Sequence, residues 1–112
     1  MKKIEAIIRP EKVNSVIWAL EGAGYRGVTV LEVAGHGRQR GHPGGEEELR
    51  EVQLRPKVML VVVVKSVDVE KIMQAIMNTA KTDRVGDGKI FVTDLSDVAR
   101  IRTAERGEKA ID

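Results

Sequence analysis

Lys57-Val58-Met59-Leu60-Val61-Val62-Val63-Val64-Lys65 is the stretch on which the fold turns. Its apolar run is far too short to cross a bilayer, and its continuity is that of a β-strand covered on both faces. At least one of those faces must therefore be covered by something besides water.

Outward from this strand the hydrophobic period changes. Downstream, Val69, Ile72, Met73, Ile76 and Met77 recur at i, i+3, i+4, i+7 and i+8, which predicts an amphipathic helix over 68–80. The turn Val85-Gly86-Asp87-Gly88 then leads into a short strand over 89–93, and a polar tail runs from Asp94 to Asp112. Upstream, Ile4, Ala6 and Ile8 alternate along 3–9, a period of two that suits a strand with one face toward a core, and Pro10 closes it. Val13, Val16, Ile17 and Leu20 fall at helical spacing, with Pro10 and Glu11 suited to a first turn and Gly22 and Gly24 to an end, so a helix is expected over 11–23. Residues 27–33 are rich in β-branched side chains and read as a further strand.

Between Gly35 and Arg55 every pattern stops. Glycines, Pro43, His36, His42, the run Glu46-Glu47-Glu48 and several arginines make a long unpatterned segment, about 36–55, of the kind that is functional when it occurs inside a small domain. The order βαβ-βαβ, with no break in composition, predicts one domain over 1–112. Its class is α+β: a four-stranded antiparallel sheet with both helices on one face, the ferredoxin-like arrangement. The opposite sheet face would be bare, and the all-apolar strand predicts that copies of the chain bury it in a closed symmetric oligomer.

Composition narrows the function. A chain of 112 residues has little room for an enclosed pocket of its own. Lacking cysteine, it has no disulfides, thiol chemistry or cysteine-held metal. The charged N-terminus Met1-Lys2-Lys3-Ile4-Glu5 does not read as a signal peptide, and a cytoplasmic protein without direct membrane insertion is expected. Nineteen Lys and Arg against 17 Asp and Glu give a net charge of only +2, with signs mixed along the chain, and aromatic residues are 3% of the total. Neither a basic stripe nor a stacking platform is present, which argues against nucleic acid as a partner.

Three segments carry chemistry. Gly86-Asp87-Gly88-Lys89 joins a helix to a strand; it reads either as a tight connection or as a turn whose backbone meets a phosphate with Lys89 as countercharge. Arg100-Ile101-Arg102 would set two guanidiniums on one side of an extended segment, either as a solvated tail or as a fork for phosphate oxygens. Gly35-His36-Gly37-Arg38-Gln39-Arg40-Gly41-His42 is either a hinge or a small-anion site. A Gly-x4-Gly-Lys-Ser/Thr loop is absent, which excludes a P-loop NTPase, and no Ser/His/Asp set presents itself. His36 and His42 lack a carboxylate at ligand spacing, so exposed imidazoles are favoured over a metal site.

Together these segments resemble the PII nitrogen-regulatory signal-transduction family. The resemblance rests on Lys2-Lys3-Ile4-Glu5-Ala6-Ile7-Ile8-Arg9-Pro10, on Thr29-Val30-Leu31-Glu32-Val33 leading into Gly35-x-Gly37-Arg38-Gln39-x-Gly41, on Pro56-Lys57, and on Val85 to Val92 followed by Arg100-Ile101-Arg102-Thr103. It implies a homotrimer with nucleotide sites in the clefts between subunits and a non-enzymatic role sensing ATP or ADP and, with MgATP, 2-oxoglutarate. Carried over by position, nucleotide would meet Ile7, Thr29, Gly35, Arg38, Val63, Thr82, Gly86, Asp87, Gly88 and Lys89, with Arg100 and Arg102 coming from the neighbouring chain. 2-Oxoglutarate would lie against Gly37, Gln39, Arg40, Gly41 and Lys57, and Gln39 would help hold Mg²⁺. The long segment, the T-loop of the family, would engage an ammonium transporter, a nitrogen-metabolic enzyme or a nitrogenase system, with recruitment to a membrane where the target is a transporter.

Three departures accompany the resemblance. Val61 stands where many relatives have glutamate, the loop holds neither tyrosine nor serine for covalent modification, and its tip is unlike the usual one and one residue shorter. An alternative reading is a PII-like module that senses ADP, AMP or bicarbonate without 2-oxoglutarate control.

Overall fold

A computed structural model of the protein describes residues 1–37 and 52–111. Strands β1 (Lys2–Ile8), β2 (Val28–Gly35), β3 (Arg55–Val64) and β4 (Lys89–Asp94) alternate with helices α1 (Val13–Gly22) and α2 (Val69–Ala80) in the chain order β1-α1-β2-β3-α2-β4. The strands pair antiparallel in one sheet, ordered β2-β3-β1-β4. This is the α+β, ferredoxin-like arrangement that the sequence predicts.

Side-chain period does the sorting. In β1, Ile4, Ala6 and Ile8 are buried while Lys3, Glu5 and Ile7 are not; in β3, Val58, Leu60, Val62 and Val64 are buried while Lys57, Met59, Val61 and Val63 are half-buried. The buried set packs with Val16 and Leu20 of α1, Ile72, Ile76 and Ala80 of α2, and Tyr25 into a single core. A strand of continuous apolar sequence thus has one face packed within its own chain and the other left half-covered, which refines the expectation of cover on both sides.

The helices begin alike. An extended residue, Arg9 or Lys65, is followed by a 3-10 turn, Pro10–Lys12 or Ser66–Asp68, and only then by α-helix, so both helices start later than their apolar spacing alone suggests. Helix α1 ends in a Schellman motif: Tyr25 N–H donates to Leu20 C=O at 2.9 Å and Gly24 N–H to Glu21 C=O at 3.0 Å, with Gly24 at φ +99°. Tyr25 is then placed so that its hydroxyl donates to Asp68 Oδ2 at 2.5 Å and accepts from Lys65 N–H at 3.1 Å, tying the end of α1 to the start of α2.

Several boundaries move. Pairing of Gly35 with Arg55 extends β2 beyond Val33 and starts β3 before Lys57, so the ladder takes in both ends of the segment expected to be loop. Met77, placed in the apolar stripe of α2, is exposed. The tail is not a featureless polar extension. Ala99 and Arg106 form an antiparallel bridge, residues 101–103 turn between them, a 3-10 turn covers Gly107–Ala110, and Ile111 packs on the core.

Candidate functional site

The register of the sheet decides which residues can meet on its open face. Ile7 of β1 pairs with Lys89 of β4 and with Met59 of β3, and Lys57 of β3 pairs with Val33 of β2. At this end of the sheet a cleft of about 370 Å³ opens, lined by Ile7, Gly35, His36, Gly37, Gln53, Arg55, Lys57, Val85, Gly86, Gly88, Lys89 and Phe91. Three cations and four glycines in one lining suit an anionic ligand, because glycine lets the backbone come close and the cations supply countercharge.

The turn before β4 is shaped for close approach. Gly86 and Gly88 have φ +106° and +100°, conformations that L side chains rarely adopt. A Cβ on Gly88 would stand 1.7 Å from the Ile7 carbonyl oxygen, so glycine there is demanded by the neighbouring strand as well as by φ. Lys57 Nζ crosses to the same turn and donates to the Gly86 carbonyl at 2.6 Å.

Asp87 plays a different part from the one its position in the motif implies. Its Oδ1 accepts from Arg9 Nε at 2.9 Å and Thr82 Oγ1 at 2.5 Å, and its Oδ2 accepts from the N–H groups of Thr82 at 2.7 Å and Asp83 at 3.0 Å. Burial by itself would raise this carboxyl; the hydrogen bonds from Thr82, Arg9 and Asp83 outweigh it and hold the group well below the ordinary carboxylate range. Neither Asp87 nor Thr82 lines the cleft.

Electrostatics favour an incoming anion. Burial lowers the Lys57 ammonium pKa, and the cations Arg9 and Arg55 lower it further against the opposing pull of Glu11 and Asp87. Positive charge is therefore crowded here, and a bound anion relieves the crowding.

Of the residues assigned by resemblance, Ile7, Gly35, Gly37, Lys57, Gly86, Gly88 and Lys89 come together in the cleft. Thr29 and Val63 share its sheet face, in register with Val61 and Lys3, but are not in its lining. Val61 itself has Glu5 directly across in β1. Arg38, Gln39, Arg40 and Gly41 lie outside the described residues. Arg100 and Arg102 correct an expectation: Arg100 leads into a turn over 101–103 that contains Arg102, so the two do not lie on an extended segment. Arg100 N–H donates to Glu105 C=O at 2.9 Å, Ala104 N–H returns to Arg100 C=O at 2.8 Å, and the Arg100 guanidinium donates to Glu105 Oε1 at 3.1 Å. A non-glycine residue at φ +62°, Ala104, closes this turn.

Sequence reasoning passed over Arg9, Gln53, Arg55, Val85 and Phe91. A signal for Arg55 existed: it stands two residues before Lys57, and strand period places both on one face. Nothing local marked Arg9, whose partners lie more than 70 residues away.

The sequence profile of the family described as Nitrogen regulatory protein P-II matches residues 1–105. The chain is 49% identical over 114 residues to the nitrogen regulatory protein P-II of Pasteurella multocida, covering 99% of this chain and 100% of that one. It is 51% identical over 112 residues to nitrogen regulatory protein P-II 1 of Methanothermobacter thermautotrophicus, covering 99% and 97%. Among solved structures, that of Arabidopsis thaliana PII bound to citrate superposes with a TM-score of 0.82 at 42% identity, covering 98% of this chain and 88% of that one. The chain belongs to the nitrogen regulatory protein P-II family of signal-transducing regulators.

Proposed function

We propose that this protein is a non-enzymatic sensor that binds ATP or ADP and, together with MgATP, 2-oxoglutarate, and that it controls a nitrogen-metabolism target through residues 36–55. The observation that carries this reading is the convergence of Lys57, Arg55 and Lys89 with Gly35, Gly37, Gly86 and Gly88 on one cleft. A triphosphate and a dicarboxylate are both strongly anionic, and such a lining offers them countercharge and exposed backbone in one place. The citrate bound by Arabidopsis PII adds support, since citrate is itself a polycarboxylate.

At about 370 Å³ the cleft falls at the small end of ordinary ligand sites, roughly 300–1,000 Å³. That size fits a site completed by a neighbouring copy, with Arg100 and Arg102 reaching across in a homotrimer. Magnesium, held with the help of Gln39, would neutralise phosphate charge so that the dicarboxylate can share the cleft. Lys57 would meet the distal carboxylate of 2-oxoglutarate, Lys89 the phosphates, and Ile7 with Val63 the apolar part of the nucleoside. Thr29, Arg38 and Thr82 complete the proposed nucleotide surroundings, Asp87 supports them from behind the turn rather than against the ligand, and Arg40 and Gly41 complete the dicarboxylate's. A cytoplasmic location goes with the proposed role, and a transporter target would draw the protein to a membrane; among the described residues no helix is long and apolar enough to cross one.

Isothermal titration of the pure protein tests the reading. ATP and ADP should each bind, and 2-oxoglutarate should bind only when MgATP is present; absence of nucleotide binding overturns it. Lys89→Ala should weaken ATP by about 10- to 100-fold, the cost of losing one charge-assisted contact.

A further inference from the structure

Among the described residues, Arg9 is the one charged residue that is buried with the core, at 9% exposed. Taking a guanidinium out of water is costly, so its partners have to be good ones. They are. Nε donates to Asp87 Oδ1 and Nη2 to the Val85 carbonyl, both at 2.9 Å. Arg9 stands where β1 ends and Pro10 begins a 3-10 turn, a fixed platform beside the core. Both its bonds therefore run from the rigid sheet to the connection that precedes β4.

That connection would be soft without them. Residues 81–88 contain no helix or strand, and Asp83, Gly86 and Gly88 all have positive φ. Asp87 gathers the start of the connection, through Thr82 and Asp83, and Arg9 fixes the gathered knot to β1. A phosphate approaching a turn is attracted by N–H groups and repelled by carbonyl oxygens. By engaging the Val85 carbonyl, Arg9 holds one such oxygen on its own guanidinium, next to Gly86 and Gly88 in the cleft.

Resting on the nucleotide reading above, we infer that Arg9, acting through Asp87 and Val85, is a positioning residue that sets the Gly86–Lys89 turn in its phosphate-receiving shape without touching the ligand. Asp87 belongs to the same device and serves the site from behind.

Two variants separate positioning from mere folding. Arg9→Lys keeps a cation but replaces the rigid fork, whose Nε and Nη2 reach Asp87 and Val85 from separate atoms, by a single ammonium nitrogen on a flexible stem. Asp87→Asn, with its amide oxygen at the Oδ2 place, keeps the bonds from Thr82 and Asp83 N–H and turns an NH2 toward Arg9 and Thr82 Oγ1; the Thr82 hydroxyl can reverse and accept from it, whereas the guanidinium only donates, so the bond lost is the one between Asp87 and Arg9. Each is titrated with adenosine, ADP and ATP at a temperature well below its own unfolding midpoint. The expected result is ATP and ADP binding weakened about 10- to 100-fold, with adenosine affinity changed by less than about twofold, because misplacing a binding group by about 1 Å mainly affects the ligand part it meets. Unchanged ATP affinity beside a lowered melting temperature overturns the inference, as does a parallel loss of adenosine and ATP. Failure of the wild-type protein to bind ATP overturns the underlying reading and this inference with it, a result distinguishable from the other two.

Discussion

On the helix-covered face of the sheet, Ile4, Ala6, Ile8, Leu60, Val62 and Val64 are each at most 2% exposed; on the other face the alternating residues Ile7, Lys57, Met59, Val61, Val63 and Lys89 are half-buried or exposed. Adjacent residues of the same strands therefore meet opposite demands. The first face excludes water with aliphatic side chains and leaves no polar group to satisfy. The second keeps charge and apolar surface side by side, which a lone chain in water gains nothing from. Separation by a period of two lets a small domain place its core and its candidate site on the same four strands, and a one-residue slip would destroy both at once.

The sharpest way to break this comparison is to truncate neighbours on opposite faces. Leu60→Ala should cost about 3–4 kcal/mol in urea denaturation, the usual penalty for emptying a fully buried leucine site. Val61→Ala, one residue on, should cost about 1–2 kcal/mol, with a midpoint that rises with protein concentration, if copies of the chain cover the open face as proposed. A Val61→Ala cost below about 0.5 kcal/mol without concentration dependence would show that the face stays in water.

Next in size is Gly88→Ala, which probes where the two faces are joined. The added methyl collides with the Ile7 carbonyl oxygen, and alanine resists φ +100° in any case. Moving the turn away from β1 should cost about 3 kcal/mol and, because Lys89 follows directly, should also abolish nucleotide binding. Wild-type stability in this variant would mean that the turn is free of β1, against the pairing of Ile7 with Lys89.

The helix-covered face was readable from sequence because it repeats. Ile4, Ala6, Ile8 and the stripe Ile72 to Ile76 announce their burial through spacing alone, and the Gly22 and Gly24 signals fall at a real helix end. Boundaries were less readable: the late helix starts follow from 3-10 turns at Pro10 and Ser66, and apolar spacing does not distinguish a 3-10 turn from the first turn of an α-helix. The open face was readable only through resemblance to a family, which put Ile7, Lys57, Gly86, Gly88 and Lys89 in one place, and the cleft collects all five. Its supports escaped. Asp87 sits inside a glycine turn that reads as ligand-facing, yet its carboxylate is spent on Thr82, Asp83 and Arg9. Such roles depend on which segments meet in space, and no local pattern encodes the meeting of residue 9 with residue 87.

The smallest expected effect is also the one that measures that meeting directly. In the folded chain the Asp87 carboxyl is held below its unfolded value, because hydrogen bonds from Thr82, Arg9 and Asp83 overcome the opposing effect of burial. A depressed carboxyl stabilises the fold fully above its unfolded pKa, near 4, and that contribution is lost as pH falls from there through the folded value. Asp87→Asn should therefore be less stable than wild type by about 2 kcal/mol at pH 7, the loss of charged hydrogen bonds, while the gap between the two proteins narrows steadily below about pH 4. Urea midpoints at pH 7, 4 and 3 read the gap. A gap that stays constant across that range would mean that the Asp87 charge contributes nothing and that shape alone holds the turn to β1. Narrowing would show that the joint between the core face and the candidate site draws on the charge of Asp87, which Thr82, Arg9 and Asp83 all hold by hydrogen bonds at the end of the strand that serves both.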